Sequence, residues 1–164
     1  MITKKQYDMF LKFVVEHITN DWVIIGGSLL AIINAKSRNT TDIDICPVNE
    51  MTNESRLLLM DLALKSGLPI ESINASADFF LNQIPNWRNS LVLFKAGTYG
   101  NIYRPSLELY LQLKLNRSSD SDLQDCVSFL NWHKENLLEI DSAKIRELLK
   151  KYDANKVKII LESI

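Results

Sequence analysis

The sequence predicts an α+β fold: a small mixed β-sheet flanked by helices, with a helical C-terminal part. Three observations predict it. Residues 4–18 carry apolar side chains at helical spacing, several short apolar runs between residues 22 and 103 have strand character, and helical periodicity returns beyond residue 119. The 164 residues suit a single domain, with a mixed core over about 1–118 and a helical part over about 119–164.

In order along the chain, Tyr7, Phe10, Leu11, Val14, Val15 and Ile18 recur at steps of three and four, the stripe of an amphipathic helix. Trp22-Val23-Ile24-Ile25 is a short, partly β-branched run stopped by two glycines, which reads as a buried strand. A helix follows over 28–35. Residues 41–45 alternate, so Ile43 and Ile45 share one face of a strand and Asp42 and Asp44 the other. Helices are expected over 53–66, with Gly67 as a stop, and over about 69–83. Residues 91–94 and 101–103 suggest two strands around the turn from Gly97 to Gly100. Leucines at 107, 109, 111, 113 and 115 alternate with polar residues and Tyr110 as a strand would. Their neighbours Glu108, Gln112 and Lys114 are strong helix formers, and Pro105 suits a helix start. A helix over 106–117 is the expectation, with a strand as the alternative. Beyond it, Leu123, Cys126, Val127 and Leu130 make one stripe, with Asp120 and Asp122 in a first turn that favours negative charge. Two more helices, about 141–152 and 154–163, close the chain.

Composition excludes several classes. Hydrophobic residues at 46% and charged residues at 24% place the chain among ordinary globular proteins. The apolar runs are far shorter than the roughly 20 residues of a membrane span, and the N-terminus lacks the apolar centre of a secretory signal, so a cytoplasmic protein is expected. A net charge of −1 leaves no global electrostatic footprint for nucleic acid. Cys46 and Cys126 are far apart and fit no metal-ligand spacing, so a pair of packed, reduced thiols is expected. His17 and His133 have no partner pattern for zinc or a catalytic triad.

Two features carry chemistry. Gly26-Gly27-Ser28 at a strand-to-helix junction can offer backbone N–H groups and a hydroxyl to an anion, because no Cβ blocks close approach. A tight turn capped by serine explains it equally well. Asp42 and Asp44 point the same way and repel each other unless a cation or proton intervenes. On its own such a pair is a solvated strand face. Beside a phosphate loop it is what Mg²⁺ takes, since that ion is commonly held by one or two carboxylates plus substrate phosphates.

The string Gly26-Gly27-Ser28, thirteen intervening residues and then Asp42-Ile43-Asp44-Ile45 resembles the signature of the nucleotidyltransferase superfamily. With Arg38-Asn39-Thr40-Thr41 directly ahead, it is similar to the bacterial toxin-like version of that signature. Lys114, Arg117 and Ser121-Asp122-Leu123-Gln124-Asp125 look like a later Lys…Arg…Asp-x-x-Asp motif. That motif belongs to the branch containing abortive-infection (type IV) toxins and small nucleotidyltransferase domains of unknown function. The similar parts cover roughly residues 20–130.

The resemblance implies a nucleotidyltransferase-like fold and transfer of a nucleotide from a nucleoside triphosphate to an RNA or protein hydroxyl. The role it suggests is that of a toxin–antitoxin component with an antitoxin partner. Gly26, Gly27 and Ser28 would cradle the triphosphate, and Asp42 and Asp44 would hold Mg²⁺ or Mn²⁺. Arg38 and Thr40 would steady charge near the strand, and Lys114 would contact phosphate with Asp122 nearby. For Lys114, Arg117, Asp122 and Asp125, a solvated helix face and a helix start are the alternatives. Active members usually add a third carboxylate from a later strand; no clear equivalent stands out, and Glu71, Asp78 and Glu108 are the candidates. Ser121 replaces the usual basic residue before the late aspartate, with Arg117 one helical turn upstream. The alternative function is a degenerate member that binds nucleotide or a partner protein without turnover.

Overall fold

The computed structural model describes residues 1–35 and 40–164, and it is α+β. Helix α1 (Lys4–His17) opens with a capping box between Thr3 and Gln6 and buries the expected Tyr7, Phe10, Leu11, Val14 and Val15. Strand β1 (Trp22–Ile25) and helix α2 (Gly26–Ile32) follow, then β2 (Ile43–Pro47) and α3 (Asn53–Lys65). Strand β3 (Ile73–Asn74), the short α4 (Asp78–Leu81), β4 (Leu91–Ala96) and β5 (Asn101–Pro105) complete the sheet region. The rest is helical: α5 (Leu107–Leu115), α6 (Asp120–Glu135), α7 (Ser142–Leu149) and α8 (Ala154–Leu161).

The five-stranded sheet has the order β3-β2-β1-β5-β4. β1 runs antiparallel to β2 and parallel to β5, and β3 runs parallel to β2. Central β1 is buried on both faces: Trp22 and Ile24 enter the main core, while Val23 and Ile25 enter a smaller one with Leu81 and Trp87. The C-terminal helices dock on the main core through Ile145, Leu149, Val157 and Ile160. Among the described residues no helix is long and apolar enough to cross a membrane. Cys46 and Cys126 are buried and free, one in each core, and burial pushes the Cys126 thiol up to about 12.

Helix α5 explains the leucine alternation. Each residue advances about 100° around a helix, so every second residue advances about 200°. Leu107, Leu111 and Leu115 therefore fall on one side and reach the main core, while Leu109 and Leu113 fall opposite and reach the smaller one. A helix wedged between two cores imitates the period of a strand.

The helix expected over about 69–83 is not one element. A 3₁₀ turn at Ile70–Ser72 leads into β3, and α4 covers only Asp78–Leu81. Side chains compete with the helical pattern here: Ser72 Oγ donates to Pro69 O (2.6 Å), and Asn74 Oδ1 accepts from Ser76 N (3.1 Å). β2 also starts later than expected, which leaves Asp42 just ahead of the strand.

The β4–β5 turn presses on the end of α1. Tyr99 N and Gly100 N both donate to Val15 O, at 3.0 and 3.3 Å. A Cβ built on Gly100 would lie 2.0 Å from Asn20 O. Because that obstacle is backbone, Gly100→Ala is expected to cost about 1–3 kcal/mol, the usual range for overpacking, read as a lower urea midpoint at unchanged slope.

Candidate active site

The candidate site lies where β1 runs into α2. Ile25 pairs with Asp44 across the β1–β2 seam, and the chain then turns at Gly26 with φ of 70°. A Cβ built on Gly26 would lie 2.1 Å from Asp44 Oδ2. Glycine accepts that left-handed conformation without strain and leaves room for the carboxylate. Ser28 is fully buried, and its hydroxyl donates to Ile25 O (3.0 Å) and accepts from Asp44 N (3.2 Å). It ties the glycine turn to the carboxylate strand and does not line the cleft beside them.

Asp44, Gly26, Asn74, Lys114, Arg117 and Phe80 line that cleft, together with the apolar Ile25, Ala77 and Leu113 and with Tyr110. Its cavity volume is about 80 Å³. Asn74, directly across the β2–β3 pairing, donates from Nδ2 to Asp44 Oδ1 at 2.8 Å. Its Oδ1 already accepts from Ser76 N, which sets the orientation of the amide. The Asp44 carboxyl is nonetheless pushed up from its usual value. Burial is the main cause and Asp42 adds to it, outweighing the Asn74 hydrogen bond and the charges of Lys114 and Arg117.

Helices α5 and α6 supply the opposite wall. Lys114 is 4% exposed, with Nζ 2.6 Å from Asp125 Oδ2 and 3.3 Å from Asp122 Oδ1. Asp122 is the fourth residue of a capping box, and its Oδ2 accepts from Ser119 Oγ at 2.6 Å. Burial raises the Asp122 carboxyl, but the Ser119 hydroxyl and the charges of Lys114 and Arg117 win and hold it below the usual carboxylate range. The triad abuts the glycine turn: Asp125 Oδ2 is 3.9 Å from where a Cβ on Gly27 would sit, and Tyr110 Oη donates to Gly26 O at 3.1 Å.

Of the residues singled out from sequence, Gly26, Gly27, Asp44, Lys114 and Asp122 come together here. Asp42 is exposed just ahead of β2, outside the cleft lining, although its charge reaches Asp44. Thr40 Oγ1 accepts from Asp42 N at 3.4 Å and donates to Asp42 O at 3.3 Å, so it shapes the approach to the strand. Arg38 lies outside the described residues. Asp78 lines a separate cleft with Arg56 and Arg88, Glu108 lines another with Lys144, and Glu71 is exposed. Asn74 holds the place beside Asp44 instead. Its place inside the predicted helix over about 69–83 masks it in the sequence, although the Asn74-Ala75-Ser76 spacing is a turn signal. Tyr110 was hidden in the leucine-rich segment.

Asp42, Asp44, Asp122 and Asp125 against Lys114 and Arg117 leave this cluster two charges negative, among the described residues. No group of three or more His, Cys, Asp or Glu among those residues could hold a metal ion. The residues present fit a hard divalent cation in their chemistry: the half-buried Asp44 carboxylate in the cleft and the exposed Asp42 ahead of it would hold it, with substrate phosphate and water as further oxygen ligands.

The carboxylate strand is thus locked against the glycine turn on a small mixed sheet, with Lys114 of α5 on the opposite wall of the cleft. The chain matches the family described as nucleotidyltransferase of unknown function (DUF6036) over residues 6–139, and it belongs to that family. No curated protein and no solved structure matches it.

Two substitutions here have opposite expected signs. The folded chain holds the Asp44 proton more tightly than the unfolded chain does. Ionised Asp44 therefore costs stability that is absent in acid and develops as pH rises through the folded value. With chelator present, Asp44→Asn is expected to melt higher than the parent at pH 7, the gap closing below about pH 4. Lys114→Ala removes the buried cation that pairs with both Asp122 and Asp125 and is expected to lose about 3–5 kcal/mol in denaturant unfolding.

Proposed function

We propose that the chain transfers a nucleotide from a nucleoside triphosphate to an acceptor hydroxyl on RNA or protein with Mg²⁺. The observation that carries this is the contact of Gly26 with Asp44, which joins a turn able to donate backbone N–H groups to a carboxylate whose ionisation burial opposes. Asp44 and Asp42 would hold the cation, and the Gly26-Gly27 backbone and Lys114 would bind phosphate. The cation would supply charge stabilisation at the reacting phosphate. The acceptor oxygen forms a bond to the α-phosphorus, the bond to the bridging oxygen of the β-phosphate breaks, pyrophosphate leaves, and the hydroxyl proton passes to water. Holding these groups in line is the protein's task, and no covalent protein intermediate is required. A toxin–antitoxin role with an antitoxin partner, in the cytoplasm, is the biological setting we propose from the similarity of the Lys114 to Asp125 motif.

One observation favours a second reading, nucleotide binding without turnover: the neutral Asn74 occupies the position beside Asp44 where a further carboxylate would complete an acidic trio. Incubation with Mg²⁺, each α-labelled nucleoside triphosphate and total RNA or protein separates the two. Label transfer is expected, with a loss of at least about a hundredfold in Asp44→Ala, the size of effect seen when one electrostatic contact to the transition state is removed. Nucleotide binding without transfer would support the second reading.

A further inference from the structure

We infer that Phe80 is the platform on which the nucleobase of the triphosphate stacks, with the Arg117 guanidinium as a second flat surface beside it. This rests on the reading of the Asp44 cleft as a nucleotide site, and it adds where the base goes. The cavity beside Asp44, Gly26 and Lys114 is about 80 Å³, enough for a few water molecules or a phosphate group. A base carried by that phosphate would extend toward the exposed end of the cleft. There the wall is apolar and aromatic: Phe80, on α4, is 40% exposed although it lines the same cleft as Asp44 and Lys114. Its neighbour Phe79 is 63% exposed and packs edge-on against it, ring centroids 5.5 Å apart and planes at 80°. Edge-on packing steadies the Phe80 ring.

Arg117 supplies the second surface. Its Cζ lies 5.9 Å from the Phe80 centroid, its side chain is 53% exposed, and its Nε is 3.6 Å from Asp122 Oδ2. One side chain therefore reaches from the charged triad to the aromatic ring, which is the path from phosphates to base. Nucleobases stack on aromatic rings and on guanidinium planes alike, largely irrespective of base identity. Two adjacent exposed phenylalanines are costly in isolation, and their position at the mouth of a charged cleft fits an apolar ligand part.

Equilibrium titration with Mg²⁺ and ATP, GTP, CTP, UTP or inorganic tripolyphosphate tests the assignment. Wild-type protein is expected to bind all four nucleotides more tightly than tripolyphosphate. Phe80→Ala should weaken the nucleotides by about 5- to 150-fold and leave tripolyphosphate within about twofold. Phe80→Trp should restore nucleotide binding, and unchanged melting of both variants excludes a folding effect. Equal wild-type affinity for nucleotides and tripolyphosphate, or an unchanged nucleotide affinity in Phe80→Ala, overturns the platform while leaving the phosphate site standing. Wild-type protein that binds neither overturns the nucleotide site as well. An exposed Phe79–Phe80 pair that serves a protein acceptor instead would show as lost protein labelling with nucleotide affinity intact, which also overturns the inference.

Discussion

Much of this site depends on one steric constraint, the absence of a side chain at Gly26. The Asp44 carboxylate occupies the space a Cβ would need, and Ser28 closes the contact by bonding to the backbone of both strands. Because β1 is central and buried on both faces, neither partner has room to withdraw. A surface turn could relax around a larger residue; this one is backed by the full thickness of the domain.

Charge follows from that geometry. Asp44 is forced into a cleft where burial opposes its ionisation, and the α5–α6 wall keeps Lys114 occupied by Asp122 and Asp125. Among the described residues the cluster is left negative, the sign that draws a cation. Stability is sacrificed at Asp44 and recovered at Asp122, whose carboxyl is bound by Ser119 and two cations. Such a division is common where a fold retains an unfavourable charge for function.

Much of this was legible in the sequence, and where it was not the cause is physical. Segments with one buried face, such as α1, announced themselves through periodicity. Leu107 to Leu115 is ambiguous because a helix between two cores buries most of its circumference and leaves only Glu108 and Gln112 to mark its period. Residues 69–83 misled because their apolar content resembled a helix while Asn74 and Ser72 hydrogen-bonded to backbone. In the site, Gly26, Asp44 and Lys114 could be found from motif order, since their chemistry restricts residue type. Asn74 and Tyr110 act through long-range pairing, Asn74 across a two-residue strand and Tyr110 over 84 positions, which a local pattern cannot encode. The role of Ser28 was also local in a way the motif did not reveal: its hydroxyl binds backbone.

The central claim is that the glycine turn and the carboxylate strand form one metal–phosphate site. Pulsed paramagnetic resonance of Mn²⁺ with bound nucleoside triphosphate tests it most directly, because it reads whether phosphorus lies beside the ion on the protein. The account predicts a protein-bound Mn²⁺ coupled to phosphorus in the parent chain, lost when both Asp42 and Asp44 are replaced by alanine. Protein-bound Mn²⁺–nucleotide with unchanged coupling and affinity in that double variant would contradict it.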